Sequence, residues 1–210
     1  MFKLSIYEVA LSNAKKELRS LKSQNGLEPI IQKHLTATIG NLAKREVPLS
    51  KIGACQVWGD KKGQIDILYR DYGIELKVVR IPRIGAKAVP SNALYDIGQL
   101  SSDYWRIKNA RQLSGGELCI LLCGCLVPEL SKPTAIIREF HNRMFVDFTT
   151  SLQYGELQYQ RKTEQRKKQI AVIKEIGFHE PYFEKAGKKI VVDDEFALII
   201  IPVISAKKAN

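Results

Sequence analysis

The sequence predicts an α/β fold, a central mixed β-sheet flanked by helices, and three stretches carry that expectation. In residues 64–79 apolar and charged residues alternate as two short strands around a turn. Ahead of them, residues 7–23 and 27–45 space apolar residues as helices do. Further on, residues 118–127 are apolar on both faces, which suits a strand covered from both sides.

At 210 residues the chain fits one domain with a substantial core. It is organised as N-terminal helices over 7–45, strands and a helix over 52–127, and a basic C-terminal part over 130–210. Apolar residues make up 45% and charged ones 26%, which is an ordinary globular balance, but 33 Lys and Arg against 22 Asp and Glu leave a net charge of +11. Excess cationic charge favours a polyanionic partner, because binding phosphates releases counterions. The first residues have no uninterrupted apolar signal region, and no apolar run reaches about eighteen residues. The expectation is a soluble, cytoplasmic protein without a membrane partner.

Taken in order, residues 7–23 form a helix with a basic outer side, broken at Asn25 and Gly26. Pro29 opens the second helix, which carries Ile31, His34, Leu35 and Leu42 toward Arg45. A strand over 51–58 and a turn at 59–63 lead into the central pair, completing a three-stranded meander. In that pair Ile74, Leu76 and Val78 point into a core, while Glu75 and Lys77 project from the opposite face. Asp66 lies between Ile65 and Ile67, and the turn at Asp71, Tyr72 and Gly73 supplies a glycine where a hairpin needs positive φ. Residues 81–90 form a Pro- and Gly-containing loop. A long helix over 92–112 follows, with Leu94, Ile97, Leu100, Tyr104 and Ile107 as its buried stripe. A helix over 133–142, a strand over 144–148 and a basic segment over 158–174 come next. A hairpin with arms 189–193 and 196–205 then completes the sheet.

Asp66 and Glu75 on adjacent strands would offer oxygen ligands to a hard divalent cation, leaving room for water and a phosphate. Lys77 beside them would orient a nucleophile. Asp66, eight intervening residues, then Glu75-Leu76-Lys77 resembles the signature of the PD-(D/E)xK nuclease superfamily, which contains most type II restriction endonucleases. Ile65 stands where that signature usually has proline. The resemblance implies a restriction-endonuclease-like core and a Mg²⁺-dependent DNA endonuclease, with Mn²⁺ as a substitute. Asp66, Glu75 and the Leu76 carbonyl would be the metal ligands, and Lys77 would activate water. It implies a homodimer, with a companion methyltransferase or second subunit as a further partner. Glu28 is the N-terminal glutamate best placed to join the site, with Glu46 as a rival. Gln99 is similar to the glutamine on the helix of RecB-type nucleases, although their tyrosine four residues on is replaced by Asp103, with Tyr104 one later.

DNA contacts are expected from Arg80, Arg83 and Lys87 in or beside the loop, and from Arg161, Lys162, Arg166, Lys167 and Lys168 in the basic segment. Two other readings stay open: a non-catalytic nucleic-acid-binding or assembly protein on the same fold, and an RNA nuclease. Some chemistries are excluded. Residues 113–117 are similar to the ABC-ATPase signature segment, but the chain has no phosphate loop of the Gly-x-x-x-x-Gly-Lys-Ser/Thr kind. Cys119, Cys123 and Cys125 share a strand face without a second pair or a nearby histidine at zinc spacing, so buried reduced thiols are expected.

Overall fold

The computed structural model of the protein describes residues 1–20, 27–49, 63–80, 103–123, 189–192 and 196–206. Within these the chain forms two N-terminal helices, α1 (Leu4–Ser20) and α2 (Leu27–Ile39), followed by the strands β1 (Ala43–Leu49), β2 (Gly63–Tyr69) and β3 (Tyr72–Arg80). Helical residues 103–109 (α3) precede β4 (Gly115–Cys123), β5 (Lys189–Val192) and β6 (Phe196–Ile204). The strands make one mixed sheet in the order β1-β2-β3-β4-β6-β5. Only the β3–β4 pair is parallel among these neighbours. A parallel pair needs a crossover, and α3 lies on it.

Each face of the sheet has its own cover. Tyr7, Ala10, Leu11, Ala14 and Leu18 fall three and four apart on α1, and with Leu27, Ile31 and Leu35 of α2 they pack on Ile67, Ile74, Leu76, Cys119 and Ile200. Glu17 at the far side of α1 binds both Lys33 (3.0 Å) and His34 (2.9 Å) of α2, so His34 braces the two helices. On the opposite face α3 presses against a glycine pair, Gly73 opposite Gly116. A Cβ on Gly116 would meet the Gly73 carbonyl and, at 2.6 Å, the Ile107 methyl. One on Gly73 would stand 2.8 Å from Leu113 and 3.0 Å from Ile65.

The mixed α/β class, the central strand pair and the C-terminal hairpin agree with the sequence reading, as does the buried β4, although it begins at Gly115 rather than Leu118 and residues 124–127 lie outside the described residues. Four readings do not. The first helix begins at Leu4 and is described as far as Ser20, and residues 21–23 lie outside the described residues. The second ends at Ile39, because Gly40 takes φ +106 and turns the chain, and residues 43–49 are strand β1 rather than the end of a helix. The meander therefore starts there, and the expected strand over 51–58 lies outside the described residues. In the β2–β3 hairpin the left-handed position is Arg70 (φ 59), since Tyr69 pairs with Tyr72; Gly73 is demanded by packing instead. Of the long helix expected over 92–112, residues 92–102 lie outside the described residues, 103–109 are helical and Ala110 is not. Cys119 is a buried free thiol. The helix over 133–142, the strand over 144–148, the loop over 81–90 and the basic segment over 158–174 lie outside the described residues. No helix among the described residues is long and apolar enough to cross a membrane.

Candidate active site

Asp66 sits where the sheet ladder parts. The β2–β3 pairing runs over Tyr69↔Tyr72, Leu68↔Gly73 and Ile67↔Ile74. At the next position the Leu76 N–H donates to the Asp66 side chain (Oδ2, 2.7 Å) instead of to a strand carbonyl. The main-chain carbonyl of Asp66 in turn accepts from Gln32 Nε2 of α2 at 2.7 Å. On the β1 side, Glu46 between the Arg45↔Ile67 and Val47↔Ile65 pairs takes φ 53, a conformation non-glycine residues rarely adopt. Ile65 packs toward Gly73 and Ile67 joins the α1/α2 core, so the two isoleucines lie on opposite faces and strict alternation fails at Asp66. Side-chain and helix groups thus satisfy a backbone that the ladder leaves, as buried polar groups require.

Four acids and two cations gather at this opening. Glu75 and Lys77 project from the β3 face opposite Ile74 and Leu76, as alternation dictates. Glu75 is nevertheless only 2% exposed, because α3 covers it: Arg106 Nη1 donates to Glu75 Oε1 at 2.6 Å. The same guanidinium reaches Asp103 Oδ1 at 3.3 Å, one turn back on α3, and Asp103 Oδ2 stands 3.9 Å from Lys77 Nζ. Burial, and then the charges of Asp66 and Asp103, push the Glu75 carboxyl well above its ordinary range in spite of Arg106. The nearness of the Asp66 carboxyl adds to that rise. Glu28, half-buried in the first turn of α2, is pushed up to about 7, chiefly by burial, with Asp66 and Asp103 adding to the rise. Lys77 and the Val78 N–H oppose it.

No family model, curated protein or solved structure matches the chain. What the site can do therefore rests on its own groups.

Of the residues singled out from sequence, Asp66, Glu75, Lys77 and Glu28 converge. Leu76 contributes its N–H to Asp66. Glu46 is exposed on β1. Gln99, Arg83, Lys87, Arg161, Lys162, Arg166, Lys167 and Lys168 lie outside the described residues, and Arg80 is described only as the last residue of β3. Sequence reasoning missed Gln32, Asp103 and Arg106. Gln32 carried a signal, since it lies four residues after Glu28 on one helix face and is a buried amide. Asp103 and Arg106, three apart, make the same kind of pair on α3.

Among the described residues no three His, Cys, Asp or Glu side chains are gathered as a metal-holding group. The Asp66–Glu75 pair nonetheless fits a hard divalent cation in kind: both donors are carboxyl oxygens, and they lie near enough for the charge of Asp66 to raise the Glu75 carboxyl.

Proposed function

We propose that the protein is a Mg²⁺-dependent endonuclease of restriction-endonuclease-like fold that hydrolyses phosphodiester bonds in DNA. The observation that carries this reading is the meeting of Asp66, Glu75 and Lys77 where β2 and β3 part, with Glu28 beside them. Two buried or half-buried acids held above their usual range next to a lysine mark a site built for charge, not a solvated hairpin face. Asp66 and Glu75 would hold the ion, with the Leu76 carbonyl as a further ligand. When bound, a divalent cation supplies positive charge against the scissile phosphate and acidifies a water.

The chain's own groups do the rest. Lys77, steadied by Asp103 at 3.9 Å, orients the attacking water. The water oxygen bonds to phosphorus in line with the departing ester oxygen, and no covalent enzyme intermediate forms. Gln32 and the Leu76 N–H fix Asp66, and Arg106 fixes Glu75. The net charge of +11 draws a polyanionic strand toward these groups. A homodimer acting on a palindromic DNA site belongs to the same reading, through the resemblance of residues 66–77 to the nuclease signature.

One observation favours a second reading, a nucleic-acid-binding or assembly protein whose site is inert: Glu75 is buried and already taken by Arg106. Incubating plasmid and structured RNA with the protein and Mg²⁺ or Mn²⁺, alongside Lys77→Ala, separates these. The expected outcome is cleavage of DNA by the wild type and a loss of at least ~100-fold in Lys77→Ala, with DNA binding kept. A wild type that binds but leaves both substrates whole supports the inert binder, and preferential cleavage of RNA supports an RNA nuclease.

A further inference from the structure

Arg106 gathers oxygens from three elements. A single nitrogen, Nη1, lies 2.6 Å from Glu75 Oε1, 3.1 Å from the Gln64 main-chain oxygen and 3.3 Å from Asp103 Oδ1. Three oxygens from β2, β3 and α3, two carboxylates and one carbonyl, close on one point. That is the oxygen donor set that hard cations take. The point adjoins the Asp66–Glu75 pair, with Glu75 common to both. Metal-dependent phosphodiester hydrolysis commonly employs two cations about 3.5–4 Å apart, one at each reacting oxygen.

We propose that Arg106 holds the second cation position itself, so that the protein takes up one divalent ion and Arg106 supplies the other positive charge as a fixed part of α3. This rests on the hydrolase reading of the same site. Arginine suits the role because its guanidinium stays protonated at any working pH and is held by several oxygens at once, whereas an ammonium is a single point charge. Arg106 is thus a positioning residue, acting on the phosphate only through Glu75 and through its charge.

Counting Mn²⁺ per chain by equilibrium dialysis, on folded protein checked by circular dichroism, tests this. Wild type and Arg106→Lys should each hold one ion, and Arg106→Gln, nearly the same size but neutral, should hold one more. Should Arg106→Gln not fold, the wild-type count decides, one ion supporting the proposal and two overturning it. One ion on both wild type and Arg106→Gln overturns the role of Arg106 while leaving the hydrolase reading standing. No ion on either protein overturns the hydrolase reading itself.

Discussion

Glu28 lies in the first turn of α2 with its carboxyl pushed up to about 7, so near neutrality it divides between two charge states. An acid whose folded pKa exceeds its unfolded value binds more protons folded than unfolded. Its contribution to stability is therefore present below about 4.5 and lost as pH rises through about 7. Because solvent reaches part of the group, the effect is on the order of 1 kcal/mol rather than the full equivalent of the shift. Glu28→Gln should match wild type near pH 4.5 and be more stable by about that amount at pH 8, as measured by urea unfolding at both pH values. Asp103 acts differently, by tying Lys77 and Arg106 together. Asp103→Asn keeps the shape but weakens both ties, and cleavage by the variant should fall about 10-fold or more while DNA binding is retained. Equal cleavage rates would remove Asp103 from the site. Glu75 and Lys77 were legible in the sequence as neighbours on one face because β3 alternates, whereas Asp66 meets them where alternation fails in β2, through the bond it accepts from the Leu76 N–H. Arg106 and Asp103 were not, because helical spacing shows which residues share a face of α3 but not which part of the sheet that face covers.

The glycine pair where α3 meets the sheet decides how the elements sit. Gly73 and Gly116 face each other across β3 and β4, and a methyl group on Gly116 would strike the Gly73 carbonyl and the Ile107 side chain. Backbone cannot give way as a side-chain tip can. Gly116→Ala should therefore cost about 3 kcal/mol, at the upper end of overpacking changes. Gly73→Ala, which meets only the ends of Leu113 and Ile65, should cost less. Chemical denaturation of both variants checks the order, and equal stability would show that α3 does not press on the sheet here. Gly73 read in the sequence as a turn glycine, and Arg70 takes the left-handed position instead. The misplacement of β1 has a related cause. Residues 43–49, Ala-Lys-Arg-Glu-Val-Pro-Leu, form an edge strand whose mostly exposed side chains show no clear alternation. Gly40 was the available signal that the helix had ended, since a glycine just past a helix commonly reverses the chain. Strands β4 and β6 were legible because both are apolar nearly throughout, as suits buried strands with a neighbour on either side.

For the whole molecule, the net charge of +11 concerns how the protein meets its partner rather than how it folds. If DNA is that partner, Lys and Arg side chains displace counterions from the phosphates, and the logarithm of affinity falls linearly with the logarithm of salt, with a slope of about −0.9 per phosphate neutralised. About four such contacts would lower affinity roughly 100-fold between 50 and 200 mM salt. Arg161, Lys162, Arg166, Lys167 and Lys168 are the densest run of cations in the sequence, within a segment where Glu164 is the opposing charge. Replacing Arg161, Lys162, Lys167 and Lys168 by Gln should flatten the slope by as much as about 4 if all four meet phosphate. Fluorescence anisotropy of a labelled duplex across a salt series reads the slope directly. An unaltered slope would move the phosphate contacts to other cations, such as Arg80, Arg83 and Lys87. Binding that does not respond to salt in the wild type would remove nucleic acid as the partner altogether.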